Sequence, residues 1–127
     1  MHALIIDDSR AMRSILRRIV TGLSWDTSEA GDGQQAITLL EEGLVPDVCL
    51  IDWNMPVMDG YEFVVRVRSE DKWRNVTLMM VTTESEHDNI VRALAAGAHE
   101  YVVKPFTPDA IVDKLALLGL TQTEVPA

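Results

Sequence analysis

Four stretches decide the fold: Ala3-Leu4-Ile5-Ile6-Asp7-Asp8, Val48-Cys49-Leu50-Ile51-Asp52, Leu78-Met79-Met80-Val81-Thr82 and Tyr101-Val102-Val103-Lys104-Pro105. In each, an uninterrupted apolar run stops at a carboxylate, a hydroxyl or an amine. Strands with one wet face alternate apolar and polar side chains. Continuous apolar runs belong to strands buried on both faces, the habit of a parallel sheet sandwiched between helices. Right-handed crossovers carry the carboxyl ends of such strands to one edge. All of these polar endings are therefore expected side by side.

Between the runs the periodicity becomes helical. Met12, Ile15, Leu16, Ile19 and Val20 fall at i, i+3, i+4, i+7 and i+8 of one face, with Asp8 or Ser9 able to cap the helix and Gly22 to end it. A short, weak strand reads around Thr27 to Ala30. The turn Gly31-Asp32-Gly33 leads into a helix through Ala36, Ile37, Leu39 and Leu40, and Pro46-Asp47 resets the chain. Further helices run through Phe63, Val64 and Val67 from about Gly60, through Ile90, Val91, Leu94 and Ala95, and through Ile111, Leu115 and Leu118. The charged segment Glu70 to Asn75 reads as a loop. The expected fold is α/β and flavodoxin-like: a (βα)5 doubly wound, five-stranded parallel sheet. With strand order 2-1-3-4-5, its binding crevice opens between the first and third strands. One domain over residues 1–120 is expected, with 121–127 as a loose polar tail.

At 127 residues, the chain can bury an ordinary single-domain core without metal or disulfide. Its 47% hydrophobic and 24% charged residues are globular proportions, with no apolar stretch near the roughly 18 residues of a membrane span. Met1-His2 leads straight into a strand without the pattern of a secretory signal, so a cytoplasmic protein is expected; it is also expected to be a monomer. The single Cys49 lies inside an apolar run and reads as an inert buried thiol. A formal net charge of -9 argues against binding nucleic acid. Arg10, Arg13, Arg17 and Arg18 crowd into one segment, where they read as the solvated face of a helix.

The strand endings carry the chemistry. Asp7-Asp8 alone would serve as a helix N-cap pair. With Asp52 across the crevice, three carboxylates converge, and unpaired anions that close raise one another's pKa. A divalent cation relieves this, and oxygen donors with few protein contributors suit Mg2+. A carboxylate beside Mg2+ can also act as a nucleophile toward phosphorus. Phosphoryl transfer needs charge neutralised on the equatorial oxygens. Lys104 supplies a second cation for that, and Thr82 a hydroxyl donor. Lys104-Pro105 is an X-Pro bond, where a cis peptide is inexpensive; a trans proline closing the strand is the alternative.

Asp7-Asp8, Asp52-Trp53-Asn54-Met55-Pro56 with Met58-Asp59-Gly60, Thr82, and Tyr101-Val102-Val103-Lys104-Pro105-Phe106 together resemble the receiver domain of two-component response regulators. The similarity is strongest to stand-alone chemotaxis regulators of the CheY type and covers nearly the whole chain. It implies that Asp52 accepts a phosphoryl group from a histidine kinase, a phosphotransfer protein or a small donor such as acetyl phosphate. It also implies that Asp8, Asp52 and the backbone carbonyl of Asn54 ligate Mg2+, with Asp7 acting through water. Thr82 and Lys104 would contact the phosphoryl group, and Tyr101 would turn inward as Thr82 moves. Asn54 and Glu84 would set dephosphorylation rate, and Trp53 would point to the mouth of the site. The face of the fourth helix, fifth strand and fifth helix would then bind a downstream protein through Glu86, His87, Ile90, Arg92, Tyr101, Val103 and Lys114. A phosphatase is a further partner of such a switch.

The chain departs from the chemotaxis pattern in charge. Glu86 and His87 stand where that pattern has two lysines, and Arg92 has no equivalent. Thr83 exceeds the small residue usual after the threonine and would slow entry of phosphodonors. The family is a switch, self-phosphorylating from small donors and self-dephosphorylating, not a turnover enzyme. Motor control, phosphate shuttling and a phosphate sink all use the same site. A haloacid-dehalogenase-type phosphatase would need an acid two residues after the nucleophile, where Asn54 cannot relay a proton. A flavin or nucleotide carrier would need a glycine-rich loop after the first strand, where Asp7-Asp8 stands.

Overall fold

A computed structural model describes residues 1–121. Strands β1 (His2–Ile6), β2 (Asp26–Ala30), β3 (Val48–Ile51), β4 (Thr77–Thr82) and β5 (Glu100–Val103) alternate with helices α1 (Arg10–Thr21), α2 (Gly33–Glu41), α3 (Gly60–Arg68), α4 (His87–Ala96) and α5 (Pro108–Leu117). All strand pairs are parallel, in the order β2-β1-β3-β4-β5. The flavodoxin-like sheet expected from the apolar runs is therefore present. The tail expected at 121–127 lies, beyond Thr121, outside the described residues.

The continuous runs split by parity between two cores. Leu4, Ile6, Cys49, Ile51, Leu78, Met80 and Tyr101 join Ile37, Phe63, Val64 and Ala93 from α2, α3 and α4. Ala3, Ile5, Val48, Leu50, Met79, Val81 and Val102 pack on the other side with Leu16, Val20, Ile111 and Leu115 of α1 and α5. Each fully buried Leu, Ile or Phe contributes on the order of 2 kcal/mol against the chain entropy of folding. Strand β2 sits at the sheet edge with only Ala30 buried, so its sequence lacks the apolar signature of the others.

The segment read as a loop, Glu70 to Asn75, contains a 3-10 turn over Asp71–Trp73. Trp73 in that turn is buried, with the cations of Arg66 and Lys72 at its ring. Its charged neighbours conceal a core residue. Cys49 is fully buried, and burial pushes its thiol far above the ordinary range, which makes it inert.

Candidate phosphorylation site

Helix α1 is capped by Ser9, whose hydroxyl accepts from the Met12 amide at 3.2 Å. The cap therefore does not consume Asp8. Asp7 is buried and fully engaged: Oδ1 accepts from the Ser9 amide at 2.8 Å, and Oδ2 from Lys104 Nζ at 2.8 Å. Asp8 is exposed and, among the described residues, has no hydrogen bond or ion pair. Of the adjacent pair, one holds the architecture and the other is left free.

Asp52 ends β3, its amide donating to the Ile6 carbonyl at 2.9 Å, which ties it to β1. Gly60, at the start of α3, donates its amide to the Trp53 carbonyl at 2.8 Å. A Cβ at Gly60 would collide with the Asp52 carbonyl. Only glycine lets α3 begin this close to the strand end. Asp59 caps α3 in a reciprocal box with Glu62, its carboxylate accepting from the Glu62 amide at 2.8 Å.

Carboxylate oxygens of Asp7, Asp8 and Asp52 lie within 4.8 Å of one another. Lys104 bridges the group, with Nζ 2.8 Å from Asp7 and 3.7 Å from Asp52. Burial raises the Asp52 carboxyl above the usual range; the Thr82 hydroxyl and Lys104 oppose the rise, and Asp7 adds to it. One ammonium does not balance three carboxylates. The donor set is all hard oxygen, without histidine or cysteine in the cluster, and this fits a divalent cation such as Mg2+.

Thr82 is fully buried at the end of β4, and its Oγ1 accepts from the Glu84 amide at 3.3 Å. The Thr82 carbonyl accepts from the Lys104 amide at 2.8 Å, so the two residues sit on paired strand ends. The Lys104-Pro105 peptide is cis. Asn54 and Thr83 are exposed. Glu84 lies just before α4, and its carboxylate accepts from the Glu86 amide at 3.0 Å.

Three side chains stand otherwise than the sequence suggests. Tyr101 is already inward, its hydroxyl donating to the Glu84 carbonyl at 2.6 Å. Burial first, then Glu84 and Asp52, pushes its phenol up to about 12, so it stays a donor. Trp53, expected to point to the mouth of the site, is instead buried against a half-buried Tyr61, ring centroids 5.5 Å apart and 19° from parallel, where stacking withdraws apolar ring surface from water. Arg92 turns toward α3, not the face of Tyr101, with its guanidinium 4.5 Å from the Tyr61 centroid. Of the remaining partner-face residues, Glu86, His87 and Val103 are exposed, Ile90 packs partly into the core, and Lys114 pairs with Glu100 at 3.0 Å. Tyr61 escaped the sequence reading, since nothing local tells that an aromatic at the start of α3 meets both Trp53 and Arg92.

The model of the response regulator receiver domain matches residues 3–116. The chain is 42% identical over 116 residues to the chemotaxis protein CheY homolog of Campylobacter jejuni, covering 91% of this chain and 89% of that one. It is 37% identical over 119 residues to chemotaxis protein CheY1 of Helicobacter pylori, covering 93% and 96%. The structure of Vibrio cholerae chemotaxis protein CheY4 superposes with a TM-score of 0.84 at 31% identity, covering 91% of this chain and 96% of that one. With its acidic cluster at the carboxyl edge of a 2-1-3-4-5 sheet, this chain belongs to the response regulator receiver domain family.

Proposed function

We propose that the protein is a chemotaxis-type response regulator that takes a phosphoryl group on Asp52 and converts it into a change at the face of α4, β5 and α5. The observation that carries this reading is the convergence of three carboxylates within 4.8 Å beside a single lysine. An Asp52 oxygen attacks phosphorus, the bond from phosphorus to the donor's imidazole nitrogen breaks, and that nitrogen keeps the electron pair. With acetyl phosphate the leaving group is acetate. Asp8, Asp52 and the Asn54 carbonyl would hold Mg2+, with Asp7 acting through water. The cation, when bound, screens the repulsion between the carboxylate and the phosphoryl oxygens.

Lys104 is shared between Asp7 and Asp52, so it is poised to follow negative charge as it grows on Asp52. Thr82 has a hydroxyl proton to give, and its oxygen is linked to Glu84, whose carbonyl holds Tyr101. A pull on Thr82 therefore reaches Tyr101 through one residue. The exposed apolar side chains of Val91, Leu94 and Val103 suit a protein partner on that face. Asn54, Thr83 and Glu84 tune access of donor and water. The phosphodonor is a histidine kinase or phosphotransfer protein of the cytoplasm, and no helix among the described residues is long and apolar enough to cross a membrane.

Acetyl phosphate with Mg2+ is expected to add one phosphoryl group, mapped to Asp52 by mass spectrometry and lost with chelator or in Asp52→Asn. Equal labelling of Asp52→Asn would overturn the assignment.

A further inference from the structure

Helix α4 is held more thinly than its neighbours. Only Ala93 of its residues is buried, whereas α2 and α3 each bury four, and its N-cap Glu86 makes no side-chain capping bond. Besides the Arg68 bond to the Gly97 carbonyl at its C-terminal end and the partial burial of Ile90, one further tie reaches α4 near its middle. The Arg92 guanidinium lies 4.5 Å from the Tyr61 ring centroid, and Tyr61 stacks on Trp53 at 5.5 Å. Asn89 aims the guanidinium, its Oδ1 accepting from Arg92 at 3.2 Å. Trp53 is bonded directly to Asp52 in the chain, and its carbonyl is fixed by the Gly60 amide. The stack thus joins the helix that must move to the residue beside the phosphoacceptor, without passing through Thr82 or Tyr101.

We propose that Arg92 is a positioning residue: through the Arg92–Tyr61–Trp53 stack it clamps α4 to the segment carrying Asp52 and gives the switch a second line of coupling. Its physical basis is the attraction of a guanidinium for an aromatic face that is itself immobilised by stacking. The regulatory half rests on Asp52 being the phosphoacceptor; the clamp itself does not.

The test is amide exchange of segment 87–96 in the full chain, with β3 and β4 as internal controls for global stability. Exchange from local opening scales with the opening equilibrium. Arg92→Met, which keeps the stem and drops the charge, and Tyr61→Leu are each expected to speed α4 exchange about threefold, with the double variant no faster than either single. Arg92→Lys, still a cation, should restore most of the protection. Multiplicative effects in the double variant, or an unchanged α4, would overturn the clamp. A second arm adds acetyl phosphate and Mg2+ while intact mass records labelling. If the parent and Arg92→Met are both labelled, the phosphorylation-induced change in α4 exchange should shrink at least twofold in the variant. Equal responses would overturn the coupling. An unlabelled parent would instead refute the phosphoacceptor assignment, and with it the coupling, while the unphosphorylated arm still decides the clamp.

Discussion

At the carboxyl edge of the sheet three carboxylates crowd within 4.8 Å of one another, and the ammonium of Lys104 reaches only two of them, Asp7 and Asp52. At the amino edge the proportions are reversed. There the Arg68 guanidinium, at the end of α3, donates to the carbonyls of Val76 at 2.7 Å, Gly97 at 3.2 Å, Trp73 at 3.4 Å and Arg74 at 3.5 Å, and meets His99 Nδ1 at 3.3 Å. Gly97, at φ 125°, leaves room for the arginine stem, which a Cβ would strike at 2.5 Å. One edge satisfies itself with its own backbone and closes the fold. The other is left with excess negative charge that suits a cation. Stability and function are thereby divided between the two ends of the same strands.

Breaking the closed edge should have the largest effect on folding. Arg68→Met strands several carbonyls and is expected to cost about 3 kcal/mol in urea denaturation. Labelling of the folded fraction with acetyl phosphate should be unchanged; a variant as stable as the parent would erase the distinction between the edges.

At the open edge, removing charge should do the reverse. The folded pKa of Asp52 is raised, chiefly by burial. The folded state therefore binds the extra proton, and stability falls as pH rises from the ordinary aspartate range through the raised value. Asp52→Asn should accordingly melt higher than the parent at neutral pH without divalent metal, with the gap closing in acid. A lower melting point at neutral pH would contradict an unfavourably buried charge at Asp52.

A smaller pH effect of opposite sign belongs to the closed edge. His99 Nδ1 accepts from the Leu78 amide at 3.1 Å as well as facing Arg68, which demands a neutral ring. Burial, then Arg68, lowers its pKa below the ordinary value. Its contribution is fully present above that ordinary value and is lost as pH falls through the lowered one. His99→Gln should flatten the melting profile in this window; an unchanged profile would remove His99 from the knot.

The smallest change concerns Val57, a β-branched residue at φ 68° and 80% exposed in the loop after Asp52. Val57→Gly relieves the left-handed strain at some entropic cost, for a net gain of about 0.5 kcal/mol in chemical denaturation. Destabilisation would show that the side chain packs in solution.

What could be read from the chain follows the same division. The open edge was legible because each of its groups ends an apolar run, and parallel topology alone then gathers them. Edge strand β2 was faint because only Ala30 of its five residues is buried. The closed edge was illegible: Arg68 looks like any basic residue at a helix C-terminus, and Trp73 sits among charges. Tyr101 was recognised as a switch, yet its inward position depends on the Glu84 carbonyl, a contact across 17 positions of chain. The resemblance places Arg92 on the partner face, but a family pattern does not reveal the neighbour, Tyr61, that claims its side chain.

The most direct test of the division is thermal melting of the parent, Asp8→Asn and Arg68→Met with and without millimolar Mg2+. An ion that binds only the folded state raises its stability by mass action. Mg2+ should raise the melting point of the parent and of Arg68→Met by the same increment and leave Asp8→Asn unmoved. Equal stabilisation of Asp8→Asn, or none in the parent, would contradict a carboxyl edge built to be completed by a cation.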